Sequence, residues 1–237
     1  MKTVAISQSN YIPWKGYFDM INSVDEFIIY DDMQFTKRDW RNRNTIKTPN
    51  GLLWLTIPVK VKGKFFQKIN ETEIEGSDWA EKHWKTIKMN YAKAPYFKEL
   101  EHRVQAAYEK AANMNYLTDV NLYFLKEVCS YFGITTNLRK SSEFKLADGK
   151  TERLVDICQQ VGATTYVSGP AARDYIDPQL FNSADISLKW MNYKNYPVYP
   201  QRFGDFEHSV TVLDLMFNLG QEARNYLKTF IGESVHE

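Results

Sequence analysis

Residues 31–44, DDMQFTKRDWRNRN, hold three acids, four bases, two Asn, a Gln and a Trp within fourteen positions. A loop that only joins two strands has no use for so dense a set of charges and donors. Asp31 or Asp32 can serve as a general base or as one ligand of a divalent metal. Lys37, Arg41 and Arg43 can hold a phosphate or carboxylate, and the Arg fork does so with two parallel hydrogen bonds. Gln34, Asn42 and Asn44 suit hydroxyl groups or the edge of a base. The competing reading is a solvated charge run that balances its own acids. Phe35 and Trp40, set between the charges, argue against it.

Two further stretches carry similar chemistry. In SQSNYIPWKGY (7–17), Gln8 and Asn10 supply donors and acceptors, Trp14 and Tyr17 supply ring faces, and Gly16 permits close backbone approach. A surface turn packed on itself is the alternative there. In YVSGPAARDYID (166–177), Ser168 and Gly169 bring a strand to a helix opened by Pro170. The free N–H groups of such a helix start, together with its dipole, favour anions. Arg173, one turn in, and Lys150, ahead of the preceding helix, add positive charge. The alternative is a plain strand-to-helix turn. His83 is the histidine worth testing as an acid or base, although its place between Trp79 and Trp84 also fits a structural helix residue. Together these residues point to an anionic, sugar- or nucleotide-like ligand with phosphate and hydroxyl groups. The cofactor is left open, with Mg2+ as the candidate.

Positioning these residues requires strands that end beside one another. TVAISQ (3–8) and EFIIYDD (26–32) read as buried strands joined by a short amphipathic helix at 15–24, a βαβ opening. A hairpin follows with Pro-Asn-Gly at its turn, and KFFQKINETEIE (64–75) is expected to add a strand to it. Helical periodicity occupies about 77–133, and the α/β rhythm then returns with strands at 135–144, 164–169 and 186–194. Helices are expected at 151–162, with Thr151 as N-cap, from Pro170, and over 209–220 and 221–232. The expected fold is α/β: a mostly parallel Rossmann-like sheet in one domain (1–237), carrying a β-hairpin and a predominantly helical insertion. In open sheets of this kind ligands lie outside the carboxyl ends of the strands, where all three polar stretches fall.

The chain has 237 residues, 43% hydrophobic and 25% charged, enough for a substantial core. With 30 basic and 29 acidic residues, a nucleic-acid partner is not expected. The 15 Tyr, 14 Phe and 6 Trp stand out: many are expected in the core and others in an aromatic-plus-polar pocket, the kind that commonly takes carbohydrates and nucleotides. Cys129 and Cys158 sit at apolar helix positions and read as buried thiols, and no Cys/His cluster suggests structural zinc. Neither a signal peptide nor a membrane-spanning segment is apparent, so a cytoplasmic protein is expected.

Five segments in order, SQSNYIPWKGYFDMIN, YDDMQFTKRDWRNRN, LWLTIPV, YVSGPAARDYID and YPVYPQ, resemble the WbqC-like protein family essentially end to end. Ser9 departs from the pattern, where the family often has Pro. The resemblance implies a bacterial protein of O-antigen and related surface-polysaccharide biosynthesis that handles nucleotide-activated sugars, amino sugars among them. The leading expectation is a transferase moving an acyl or aminoacyl group to a sugar amine. Asp31, Asp32 or His83 would deprotonate the amine, Arg41, Arg43 and Arg173 would hold phosphates, and Trp14 and Tyr17 would pack on a ring. A weaker similarity is to nucleotidyltransferases of the HIGH type. There WKGY (14–17) stands at the HxGH position without its histidines, and SGPAAR (168–173) has the later Ser and Arg spacing. A third reading is a sugar-nucleotide-binding protein without turnover.

Overall fold

The structure, a computed structural model, describes residues 1–237. The chain opens with strand β1 (Thr3–Ser7), helix α1 (Lys15–Asn22) and strand β2 (Glu26–Ile29). Strands β3 (Arg43–Thr48) and β4 (Gly51–Thr56) form an antiparallel hairpin closed at Gly51, whose φ of +100° suits only glycine. Helices α2 (Asp78–Tyr91), α3 (Phe97–Ala111) and α4 (Leu117–Phe132) follow, the last ended by left-handed Gly133. Next come β5 (Asn137–Lys140), α5 (Thr151–Gln160), β6 (Thr165–Ser168), α6 (Pro178–Ser183), β7 (Ser187–Trp190) and α7 (Val212–Leu219).

Five strands form one sheet in the order β5-β2-β1-β6-β7, and every neighbouring pair is parallel. Strands of such a sheet are covered on both faces and read as near-continuous apolar runs. Here Val4, Ile6, Ile28 and Tyr166 face a smaller core with Leu154, Ile157 and Cys158 of α5 and Phe181 of α6. Their alternates Ala5, Phe27, Ile29 and Val167 face a larger core shared with α1 to α4, α7 and the hairpin. From β1 the chain moves outward to β2 and β5, then returns to the other side for β6 and β7. The order therefore reverses between β1 and β6, the position where open α/β sheets bind ligands.

Three expectations are corrected. Residues 64–75 do not form a strand: Ile69–Glu71 is a 3-10 turn, and only isolated bridges (Gln34 with Lys68, Val59 with Ile74) tie the segment down. Glu71 accepts the Lys68 N–H at 3.0 Å and Thr72 Oγ1 donates to the Lys68 carbonyl, so side chains take backbone groups a strand would need. The segment after α7 is two 3-10 pieces, Gly220–Tyr226 and Lys228–Ile231, rather than a helix. The buried Asp19 carboxylate accepts the N–H groups of Lys228 and Thr229, each at 3.0 Å, and holds the chain out of helical register. Pro170 does open a short helix, of 3-10 form and five residues long, Pro170–Asp174. Thr151 is the first residue of α5 rather than its cap, and its hydroxyl accepts the Asp177 N–H at 3.1 Å. Cys129 and Cys158 are free, buried thiols, and burial pushes both up to about 12.

Candidate functional site

A cleft of about 840 Å3 lies at the switch point, walled by the ends of β1 and β6 and the start of α5. It brings together Gln8, Arg41, Ser168 and Gly169, from all three polar stretches of the sequence, with Lys150 from the entry to α5. The cleft also receives Arg153, so three cations converge on it, and no Asp, Glu, His or Cys lines it. Tyr30, Tyr175 and Tyr193 contribute aromatic surface, whereas Tyr166 beneath them is buried against Phe181. Burial raises the Tyr30 phenol while Arg153 beside it pulls in the other direction. An acid-free, cationic, aromatic-walled cleft is suited to a phosphate carried on a ring system.

Local folding explains how the cations get there. Arg41 donates to Asn10 Oδ1 and lies 3.7 Å from Asp39, so its guanidinium is half-buried and oriented. Its Nε is buried without a hydrogen-bond partner. Arg153 is held by a bond from its Nε to the Ala147 carbonyl at 2.7 Å. Lys150 is exposed at the helix entry, three positions before Arg153, and that spacing puts both on one side of α5. Spacing from Lys150 was therefore a usable signal for Arg153. Tyr30, just past β2, and Tyr193, in an irregular segment after β7, carried no comparable local signal.

The three candidate acid–base residues lie outside this cleft. Asp31 is buried and accepts from Ser9 N–H (2.8 Å), Ser9 Oγ (2.7 Å) and Thr118 Oγ1 (2.5 Å). Burial raises its carboxyl, and the Thr118 and Ser9 bonds pull it back. Asp32 turns to different partners, Ser141 Oγ at 2.5 Å and Asn70 Nδ2 at 3.1 Å, with Lys68 at 3.7 Å. Because β2 stops at Ile29, the two aspartates stand in a turn and fasten it to its neighbours. His83 is buried among Tyr11, Trp79 and Tyr108. Its Nε2 donates to the Thr56 carbonyl at 3.2 Å, which leaves Nδ1 to accept the Tyr11 hydroxyl at 2.9 Å. Burial holds it neutral, down to about 4.

Other expected binding residues divide between a second cleft and structural roles. Asn10, Trp14 and Asn44 line a neighbouring cleft of about 320 Å3. Tyr17 is in the core, its hydroxyl donating to the Gln8 carbonyl at 2.8 Å, so it shapes the β1 loop rather than offering a face. Asn42 is buried and bonded to the Ile57 carbonyl at 2.9 Å. Arg43 lies over the Trp54 ring at 4.0 Å and donates to the Arg38 carbonyl. Lys37 and Arg43 border a shallow depression at the hairpin base, and Gln34 bonds the Phe65 carbonyl at 2.9 Å. Arg173 points away to Glu237 at 3.1 Å and stacks on Trp190, 5.1 Å from the ring centroid. With Trp14 in the other cleft and Arg173 outside both, the phosphate-stabilising positions of a HIGH-type nucleotidyltransferase hold no cation directed at the switch point. No group of three or more His, Cys, Asp or Glu is arranged to hold a metal. No helix is long and apolar enough to cross a membrane.

Comparison with known proteins bears on the chain as a whole. The sequence model of the WbqC-like protein family matches residues 8–226. An uncharacterized protein of Mycobacterium tuberculosis (strain ATCC 25618 / H37Rv) is 54% identical over 228 residues, covering 96% of this chain and 98% of its own. No solved structure gives a significant match.

Proposed function

The chain belongs to the WbqC-like protein family, and we propose that it binds a nucleotide-activated sugar at the switch-point cleft and serves as a transferase in bacterial surface-polysaccharide biosynthesis. The observation that carries the reading is the convergence of Arg41, Lys150 and Arg153 on a cleft with no acid in its walls. Arg41 and Arg153 supply forks for the phosphates and Lys150 a mobile charge at the rim. Gln8 and Ser168 serve hydroxyl groups, and the tyrosines pack on a base or sugar ring. A second reading, binding without turnover, draws on the lack of any carboxylate, imidazole or thiol in that cleft. Transfer to a sugar amine, acyl or aminoacyl, would then need its proton acceptor from the adjoining cleft or from the acceptor substrate.

Thermal unfolding in the presence of nucleotide sugars, free nucleotides, inorganic phosphate, ATP with Mg2+ and acetyl-CoA tests the reading. A ligand at a hundred times its dissociation constant stabilises by about 2.7 kcal/mol, an ample shift in midpoint. A nucleotide sugar should stabilise most. Stabilisation by ATP with Mg2+ alone would favour adenylate chemistry, and a flat panel would refute a nucleotide site.

A further inference from the structure

The cleft beside the switch point differs in character from the first. Trp14, Pro13, Trp40 and Tyr193 form its apolar walls, and Asn10, Asn44, Ser209 and His208 give it polar points. Both indoles are held in place. Trp14 packs against Tyr193 and Tyr196 with centroids 5.3 and 5.2 Å away, and Trp40 packs against Trp54 at 5.2 Å. Asn44 is spent on structure, bonding the Tyr11 and Ile12 carbonyls at 3.0 and 2.7 Å and thereby fixing the loop after β1. His208 is not spent. Its Nδ1 is buried with no hydrogen-bond partner, and its ring is braced edge-on by Phe206 at 4.6 Å.

The two clefts adjoin. Tyr193 lines both, and Asn10 of the second accepts the Arg41 guanidinium that enters the first. Tryptophan faces with a few amide and imidazole groups match the alternating C–H and O–H surface of a sugar ring, whereas the cationic cleft matches phosphate. We propose that the second cleft is the sugar subsite: the glycosyl ring of a nucleotide sugar packs between Trp14 and Trp40, and one of its hydroxyl or amine groups hydrogen-bonds the His208 ring that lines the cleft. This assignment rests on the reading that the phosphates occupy the switch-point cleft. Asn10 and Arg41, already bonded to each other, stand at the junction between phosphate and sugar.

The test compares parent nucleoside diphosphates with their sugar forms by calorimetry: UDP with UDP-N-acetylglucosamine, dTDP with dTDP-glucose, and GDP with GDP-mannose. Wild type, Trp40→Ala and His208→Ala are each titrated. Trp40 is 41% exposed, so its truncation leaves the core intact, and cooperative unfolding of each variant confirms folding. Both variants should weaken the preferred sugar nucleotide about tenfold while leaving its parent nucleotide within about twofold. Equal losses for both ligands, or no loss for either, would overturn the subsite. If no nucleotide binds wild type, the phosphate reading fails separately, and methyl glycosides then probe the cleft alone through tryptophan fluorescence. Quenching that disappears in Trp40→Ala would retain the sugar subsite, and no quenching would refute it.

Discussion

Single residues divide here according to what already satisfies them. Asp31 and His83 have acid–base chemistry on paper, but each has its polar atoms taken up by buried neighbours. Arg41 and His208 line the two adjoining clefts, and each also carries a buried nitrogen without a partner. His83 makes the distinction measurable. Its folded-state pKa lies near 4, below the ordinary value of 6.5, so the unfolded chain takes up its proton first as pH falls. The stability held by neutral His83 is present above about pH 6.5 and is lost progressively towards pH 4, by at most about 1.4 kcal/mol per pH unit. Denaturant titrations of wild type and His83→Gln between these limits should differ by that slope; parallel curves would place His83 in a solvated setting. Residue type and strand-end position made Gln8, Arg41, Lys150, Ser168 and Gly169 legible in the sequence. What a side chain is already bonded to is a tertiary fact, which is why Asp31, Tyr17 and Arg173 read as site residues.

Elements were legible where burial repeats with a regular period. Strand β2, apolar over Phe27–Ile29, and the helices α2 to α4 stand close to where the sequence pattern puts them. Periodicity failed at 64–75 and after α7, where Glu71 and Asp19 capture backbone N–H groups and override local propensity. Helix α1 shows an element serving the site directly. A Cβ on Gly16 would fall 2.3 to 2.8 Å from three ring atoms of Trp14. Alanine there improves helix propensity by about 1 kcal/mol, yet the indole has to leave its place. Gly16→Ala should therefore unfold cooperatively at a near-native midpoint, with shifted tryptophan emission and about tenfold weaker nucleotide-sugar binding. Native emission would mean that Trp14 does not depend on Gly16, and shifted emission with native affinity would mean that Trp14 does not hold the ligand.

At the scale of the whole molecule, the reversal of strand order between β1 and β6 makes a cleft, and segments far apart in sequence furnish it: the loop after β1, residue 41, the entry to α5 and the turn after β6. The α/β class and a parallel sheet followed from the alternation of apolar runs and helical periods. The reversal itself did not, because strand order is set by packing between segments rather than within them. Arg41 and Arg173 embody the difference: both were expected to hold phosphate, but one enters the cleft and the other pairs with Glu237 on Trp190. The most direct measurement is the calorimetric affinity of the best-stabilising nucleotide sugar for wild type, Arg41→Ala and Arg173→Ala. Truncating a charged hydrogen-bond partner costs about 1.5–3 kcal/mol, so Arg41→Ala should weaken binding at least about tenfold and Arg173→Ala should match wild type. Loss of binding in Arg173→Ala with Arg41→Ala unaffected would contradict the placement of the phosphate at the switch point.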